Sequence, residues 1–416
     1  MRKIAFFLVF ISSKFLFVAQ SHSVLLDSII KSRPTLHKII LQKTKYKPQI
    51  IFTQINRDTN NKPSFVHHTY LLNANHYFYC ASTVKLPVSI FALEKINTLN
   101  IPELTRESSM FTDSAGFCQK RVLTDSTSKS GFPSVEHYIK KMLLVSDNFA
   151  YSRLFEFLTP KYINKRLSDL GYPRARIVHR LELECVGEPN KILNPIGFRD
   201  ENGNVIYSQA ADTVKVPFSM PFKDLVIGKD RYNKKKKLVS KKKDFSNSNY
   251  LSLQMIHDML QKLVFYEFEP DSAKYKITQN DWSFLMKHLG MYPRESEFPK
   301  YNAKDFPDAL KKYFVYGAAS DTIKSDSLRI FNIVGRAYGF LIDCAYIVNY
   351  KSKTEFLLSA VTYNNERNSF GSGKYEYTSV GLPFFKELSL ALHAYESKRK
   401  KKYLPDLNSL NFFKKP

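Results

Sequence analysis

The sequence predicts an α+β fold, in which one antiparallel sheet is built from both ends of the chain and a helical subdomain lies between its two parts. Near the start, apolar and polar residues alternate over Gln49–Ile55 and Phe65–Leu72, on either side of a polar turn, which is the pattern of an antiparallel hairpin. Helical spacing of apolar residues dominates from Ser82 to about Leu170. Strand-like stretches and a last helix follow near the C-terminus. Strands, helices, strands and a helix in this order indicate an α+β architecture.

The C-terminal part of the sheet is predicted to contain three strands followed by the last helix, which begins at Pro383. The strands are Leu328–Phe340, Cys344–Tyr350 and Glu355–Tyr363. Between about 194 and 249 the chain is polar and rich in turn residues and clustered charges, so we interpret this region as a surface insertion. We therefore predict one domain over 22–402 that carries this basic insertion, followed by a tail over 403–416.

Residues 1–21 have the pattern of a signal peptide. Arg2 and Lys3 precede an apolar stretch, and small residues suitable for cleavage lie near Ala19 and Ser21. We therefore expect export, to the periplasm or out of the cell. The four cysteines would then enter an oxidising compartment, where three complete disulfide connectivities are open to them. They are Cys80, Cys118, Cys185 and Cys344.

The chain has a formal net charge of +25, which indicates an anionic partner. For an exported protein that partner is an anionic envelope surface, and we expect no nucleic acid. The excess is concentrated in Asn233–Lys243 and Ser397–Lys402, and the alternative interpretation is that these are a solvated loop and tail. No Cys or His cluster has zinc-ligand spacing, so we expect no metal or cofactor.

Ser82 and Lys85 form a Ser-x-x-Lys pair at the start of a helix-like stretch. The two side chains would share one face of that helix, and a helix N-terminus favours a developing alkoxide. The same spacing recurs at Ser126 and Lys129 and at three other places, so the motif alone is weak. The alternative is an ordinary helix start with a Ser cap and an exposed Lys. Pro87 predicts an irregular first turn or a bend.

A second motif, Ser146-Asp147-Asn148, occurs once, between two helical patterns, and its alternative interpretation is a helix N-cap. With Lys85 and Ser82, which is 64 residues before Ser146, it resembles the serine β-lactamase and penicillin-binding-protein superfamily, whose signature is S-x-x-K, S-D-N and K-T-G. The spacing is similar to that of class A enzymes.

The resemblance implies roles for these residues. Ser82 would be the acylated nucleophile and Lys85 its general base, because a serine hydroxyl needs a neighbouring base to become nucleophilic. Ser146 would relay a proton to the leaving nitrogen. Asn148 would bind substrate and hold Lys85.

The third motif departs from the family pattern. Its K-T-G position reads Ile333, Val334, Gly335, so the lysine and the hydroxyl residue are both replaced. Gly335 would let substrate approach an edge strand, and the backbone N–H of Arg336 would join that of Ser82 in an oxyanion hole. Strand alternation places the Arg336 side chain on the face of Val334, where a guanidinium is suited to bind a carboxylate.

Two substitutions would test what this departure from the family pattern implies. We expect Ile333→Lys to raise the acylation rate, because it would restore the missing cation. We expect Arg336→Ala to weaken the binding of anionic β-lactams.

Deacylation requires a base that activates water. The resemblance implies that the loop after Arg180 supplies this base, and Glu188, which is followed by Pro, is the candidate. Glu182 and Glu184 compete for the role, and all three have the alternative of being solvent-facing loop residues.

The resemblance implies an exported serine hydrolase that forms an acyl-enzyme at Ser82 and hydrolyses β-lactam amide bonds. One alternative is a cell-wall D-Ala-D-Ala peptidase, which uses the same acylation residues. The other is a weakly active or non-catalytic protein that binds the envelope through its basic surface. The substrate is therefore a β-lactam or a cell-wall peptide.

Overall fold

The computed structural model describes residues 22–116, 120–181, 191–214, 222, 224–233, 235–319, 323 and 327–413. The helices are α1 (Val24–Lys31), α2 (Pro34–Leu41), α3 (Lys43–Tyr46), α4 (Lys85–Leu99), α5 (Val135–Val145), α6 (Asn148–Leu158), α7 (Pro160–Asp169), α8 (Leu253–Val264), α9 (Gln279–Gly290) and α10 (Leu382–Lys398).

The strands of the main sheet are β1 (Gln49–Arg57), β2 (Pro63–Tyr70), β12 (Leu328–Ala337), β13 (Phe340–Asn349) and β14 (Thr354–Tyr363). The short strands are β3 (Ser109–Thr112), β4 (Ile192–Leu193), β5 (Ile196–Arg199), β6 (Val205–Gln209), β7 (Asp212–Thr213), β8 (Val226–Ile227), β9 (Asp230–Tyr232), β10 (Leu238–Val239), β11 (Lys243–Asp244) and β15 (Ser369–Phe370).

The main sheet combines the two ends of the chain, as the sequence predicts. Its order is β12-β13-β14-β1-β2, and every neighbouring pair is antiparallel. The hairpin of β1 and β2 joins the C-terminal strands through β14, where Ile51 lies opposite Ser359. β12 is an edge strand, so one of its sides is free to face the helical subdomain. The α+β prediction is confirmed.

Apolar residues alternate along the strands and build a core on each face of the sheet. One face packs against α1, α2 and α10 and includes Ile330 and Val334 of β12. The other packs against α4 to α9 and includes Phe331 and Ile333. Even-numbered side chains of β12 therefore face the first core and odd-numbered ones face the second. This alternation sets the directions of the β12 residues near the candidate site.

The predicted insertion is partly built into the molecule. β5 pairs with β3, and its Phe198 is buried, whereas Lys235, Lys236 and Lys237 are exposed between β9 and β10. The C-terminal segment also packs on the domain beyond residue 402, because Leu410 is buried in the main core.

The expectations for the disulfides and for the signal peptide concern residues that the structure describes only in part. Cys80 and Cys344 are buried free thiols, whereas Cys118 and Cys185 lie outside the described residues, as does the predicted signal peptide over 1–21. Within the described ranges, no helix is both long and apolar enough to cross a bilayer.

Candidate active site

Ser82 lies in a 3-10 turn, Ala81–Val84, that runs directly into α4. Ala81 has a left-handed backbone with φ of 47°, and the carbonyl of Cys80 accepts hydrogen bonds from Thr83 N at 3.1 Å and Thr83 Oγ1 at 2.7 Å. This tight turn is the irregular start that Pro87 predicts. It presents the partly exposed Ser82 at the amino end of a buried helix.

Lys85 is the first residue of α4, and its side chain is completely buried. Its side-chain nitrogen lies 2.9 Å from Ser82 Oγ, 3.0 Å from Ser146 Oγ, 2.5 Å from the Ser146 carbonyl oxygen and 2.5 Å from Asn148 Oδ1. The structure therefore brings together Ser82, Lys85, Ser146 and Asn148, the four residues that the two motifs single out.

The geometry around Lys85 Nζ suits proton transfer. The Ser146 carbonyl and the Asn148 amide oxygen can only accept, so each takes one N–H of the lysine. The two serine hydroxyls, Ser82 and Ser146, lie 2.9 and 3.0 Å from the same nitrogen. A proton on this nitrogen can be donated to either hydroxyl, and a lone pair there can accept a proton from either.

The Ser-Asp-Asn motif joins α5 to α6. Ser146 caps the end of α5 with a left-handed backbone, φ 61°, and Asp147 caps the start of α6 by accepting a hydrogen bond from Ala150 N at 2.7 Å. Asp147 therefore has the N-cap role that is the alternative interpretation of the motif. The reversal of the chain at this point directs Ser146 and Asn148 onto the same lysine nitrogen.

Gly335 is the position where β12 meets the nucleophile turn. A Cβ atom placed on Gly335 would lie 2.7 Å from the Cys80 carbonyl oxygen and 3.2 Å from Thr83 Cγ2. Because real Cβ contacts are not this short, only glycine allows the edge strand to approach the 3-10 turn so closely. The sequence predicts an edge strand beside Ser82, and the structure has one.

The neighbours of Gly335 point in the directions that strand alternation predicts. Ile333 is buried in the core shared with the helical subdomain. Val334 belongs to the opposite core, and Arg336 is exposed on that side, with its guanidinium 5.8 Å from the ring centre of Tyr377. The side chain of Arg336 thus lies on the strand face opposite to Gly335.

A buried ion cluster anchors the loop that contains the candidate deacylation base. Arg180 donates to Glu156 of α6, and Arg153 lies 3.1 Å from the same carboxylate. Burial raises the pKa of Glu156 in spite of the two guanidinium groups. Ser152 Oγ also donates to the Leu181 carbonyl at 2.9 Å. Arg180 and Leu181 are therefore held against α6, whereas Glu182, Glu184 and Glu188, which follow them, lie outside the described residues.

An aromatic wall beside the site was not predicted. Tyr79, three residues before the nucleophile, packs against Tyr338 at 5.2 Å and Phe245 at 5.7 Å between ring centres. Lys243 of the insertion lies over the Tyr338 ring at 5.0 Å. The aromatic residues near Ser82 are visible in the sequence, but the residues they pack against lie far away in the chain. The insertion therefore borders the strand end next to the site.

A model of the β-lactamase enzyme family matches residues 35–379. The chain belongs to the β-lactamase enzyme family. A comparison with curated proteins gave no match. Among the described residues of this β-lactamase-family protein, no group of three or more His, Cys, Asp or Glu side chains is placed to hold a metal ion.

Several solved structures resemble this family member at low sequence identity. The TLA-1 extended-spectrum β-lactamase is 13% identical over 90% of this chain and 99% of its own, with a TM-score of 0.49. A β-lactamase from Sphaerobacter thermophilus is 10% identical over 90% and 98%, with a TM-score of 0.46. A class A β-lactamase from Clostridium kluyveri is 12% identical over 86% and 97%, with a TM-score of 0.43.

Proposed function

We propose that this protein is a serine hydrolase that β-lactams acylate at Ser82 and that then releases the hydrolysed product. One observation supports the proposal most strongly: a fully buried lysine nitrogen lies within 3.0 Å of both serine hydroxyls, Ser82 and Ser146, and of the Asn148 amide. Burying a lysine is costly, and this placement makes chemical sense when the nitrogen moves protons.

In the acylation step, Ser82 Oγ bonds to the lactam carbonyl carbon while its proton passes to the neutral Lys85 amine. Ser146 Oγ gives its proton to the lactam nitrogen as the carbon–nitrogen bond breaks, and it takes a proton back from Lys85. The N–H groups of Ser82 and Arg336 bind the oxyanion. Water activated by Glu188 then cleaves the ester and restores the Ser82 hydroxyl. Each proton is accounted for, and no cofactor is required.

Intact-protein mass spectrometry after incubation with a penicillin tests the proposal. We expect a covalent adduct with the full chain and none with Ser82→Ala. Ser126→Ala is the matched control, because Ser126 begins another Ser-x-x-Lys motif but lies exposed in a turn. It should be acylated like the unmodified protein. No adduct with any of several β-lactam classes would refute the proposal.

A D-Ala-D-Ala peptidase would use the same residues with a different acyl group. The β-lactamase alternative is favoured by the family match, whose description names that enzyme. Assays of one preparation on nitrocefin and on a D-Ala-D-Ala peptide distinguish the two. Turnover of the peptide with only stoichiometric acylation by nitrocefin would favour the peptidase.

Binding to an anionic envelope surface is a second candidate function. The exposed lysines between β9 and β10, on a chain with a net charge of +25, favour it. The triple variant Lys235→Glu, Lys236→Glu and Lys237→Glu should lose salt-sensitive retention on vesicles that contain anionic lipid, whereas Ser82→Ala should keep it. Equal retention of the triple variant would refute this role.

Export is part of the proposal, and it rests on the pattern of residues 1–21. N-terminal sequencing of the protein recovered from cells tests it. We expect the mature chain to begin shortly after Ala19. A protein that retains Met1 and remains inside the cell would refute export.

A further inference from the structure

The end of α5, which carries Ser146, is contacted by two buried lysines. Lys85 donates to the Ser146 carbonyl from one side. Lys311, from the irregular chain between α9 and β12, donates its Nζ to the carbonyl of Leu143, in the last turn of α5. Only 5% of the Lys311 surface is exposed. Both lysine nitrogens therefore lie at the helix end where the macrodipole is negative.

The way in which α5 ends leaves the carbonyl oxygen of Leu143 available as an acceptor for Lys311. The two preceding carbonyls, those of Lys141 and Met142, accept the backbone N–H groups of Asp147 and Ser146 at 3.2 and 3.1 Å. The carbonyl of Leu143 is thus the next one at the helix end, and Lys311 satisfies it. The contact supports the turn from which Ser146 projects toward Lys85.

The backbone of Lys311 is fixed to the edge of the main sheet. Asn332 of β12 donates from Nδ2 to the Lys311 carbonyl at 2.7 Å and to Asp343 Oδ1 at 2.9 Å. Asp343 also accepts from Phe314 N at 3.1 Å. These bonds hold the segment against β12 and β13, so the Lys311 ammonium is presented to α5 from a rigid base.

The face of β12 that meets the nucleophile turn offers no equivalent cation. Its residues there are Ile333, which is buried and apolar, and Gly335. A hydroxyl that gives up a proton to the leaving nitrogen becomes transiently anionic, and a nearby buried cation stabilises that charge. Lys311 is a buried lysine at this helix end, bonded to the carbonyl of Leu143 three residues before Ser146.

We propose that Lys311 is a positioning residue for acylation, which holds the Ser146 turn through Leu143 and supplies the positive charge that favours proton transfer through Ser146. The inference rests on the proposed function and assigns a role within it to a residue outside the three motifs. It also replaces the sequence-based expectation for Ile333→Lys. When Lys311 already provides the cation, a lysine at position 333 should raise the acylation rate only in a protein that lacks the Lys311 charge.

The charge on Lys311 depends on pH in the working range. Burial lowers the pKa of Lys311 to about 7, and Asp343 opposes that shift. Burial likewise raises the pKa of Asp343 to about 7, and Lys312 lies in the same buried cluster. Lys85 faces the other side of the α5 turn. Above about pH 7 Lys311 becomes neutral, so its contribution to acylation should fade as the pH rises.

The test compares acylation rates of full-length variants with a fluorescent penicillin across pH. Lys311→Met should lower the rate at least about 10-fold, less than the roughly 10²-fold loss expected for a donor that touches the reacting oxygen. The control is Lys95→Met, which removes a partly buried lysine that also donates to a helix carbonyl, Phe157 O, and whose pKa burial lowers to about 8. That variant should retain the wild-type rate.

A second variant keeps the proposal testable if Lys311→Met does not fold. Lys311→Arg stays charged across the range, so the alkaline fall of its rate should move to higher pH. Adding Ile333→Lys to Lys311→Met should recover part of the lost rate. Wild-type rates in Lys311→Met, or an unmoved alkaline fall in Lys311→Arg, would overturn the role of Lys311 alone. Failure of the wild type to form any adduct would overturn the proposed function and this inference with it.

Discussion

At the scale of single residues, Gly335 sets how closely the edge strand can approach the nucleophile. A methyl group there would lie 2.7 Å from the Cys80 carbonyl and 3.0 Å from Ile342 Cδ1. The backbone oxygen cannot turn aside as a flexible side chain would. The strand or the 3-10 turn must therefore move, and Ser82 belongs to that turn.

We predict that Gly335→Ala lowers the free energy of unfolding by about 1–3 kcal/mol, because it overpacks the contact. The acylation rate should fall by about 10²-fold, since a displacement of about 1 Å is enough to disturb attack. Urea denaturation and acylation kinetics measure the two effects. Gly116→Ala is the control, because a Cβ there meets nothing within 4 Å. Equal behaviour of the two variants would contradict the close approach.

At the scale of elements, α6 connects the reaction site with the loop that carries the candidate deacylation base. Its first residue, Asn148, contacts Lys85, and two turns later Glu156 binds Arg180 at the start of the loop. Displacing the end of α6 should therefore affect deacylation, which depends on the loop, more than acylation, which depends on Ser82 and Lys85.

We predict that Glu156→Gln lengthens the lifetime of the acyl-enzyme more than it slows acylation. It also removes the buried carboxylate that Arg153 and Arg180 share, which should cost about 3 kcal/mol or more in stability. Glu94→Gln is the control, since Glu94 is equally buried and pairs with Arg166 at 2.8 Å on α7, away from the loop. Glu94→Gln should destabilise the protein but keep the ratio of the two rates. The same ratio in both variants would refute the coupling.

The elements also show what the sequence can and cannot predict. Strand alternation places β1, β2 and the C-terminal strands, and it correctly assigns Arg336 to the face of Val334, because side-chain parity is a local property. The motifs mark Ser82 and Ser146 because Ser-Asp-Asn occurs once and lies 64 residues after Ser82. Which strand face meets Ser82 is not predictable locally, because it depends on packing of the whole sheet.

Lys311 has no local signal. It is one of 63 basic residues, it lies in an irregular segment, and its acceptor is a backbone carbonyl 168 positions away in the chain. A contact between a side chain and a backbone atom far away in the chain leaves no pattern of side chains, so no motif indicates it. The structure was required to find this residue.

At the scale of the whole molecule, the sheet and the helical subdomain meet around a buried histidine. His257 of α8 contacts Thr53 Oγ1 of β1 at 2.9 Å and Ser359 Oγ of β14 at 2.8 Å. Burial lowers its pKa from 6.5 to about 3. The unfolded chain therefore binds a proton that the folded protein excludes, so stability is lost as the pH falls below about 6.5.

We predict that the wild type loses about 2 kcal/mol more unfolding free energy than His257→Gln between about pH 7.5 and pH 5, which is the effect of one excluded proton. Glutamine keeps hydrogen-bonding capacity but does not titrate in this range. Urea denaturation at the two pH values gives the difference. Equal losses would show that His257 is not held neutral in the folded core.

Ser82 is the residue at which we expect acylation, and locating the adduct by peptide mass spectrometry after a brief reaction with a penicillin tests this directly. The position of Lys85 Nζ, 2.9 Å from Ser82 Oγ, predicts that the added mass lies on Ser82. Substitution of Lys85 by Met should lower the rate of labelling by about 10²-fold or more, because it removes the general base. Label on Ser146 or Ser126, or undiminished labelling of Ser82→Ala, would contradict the assignment.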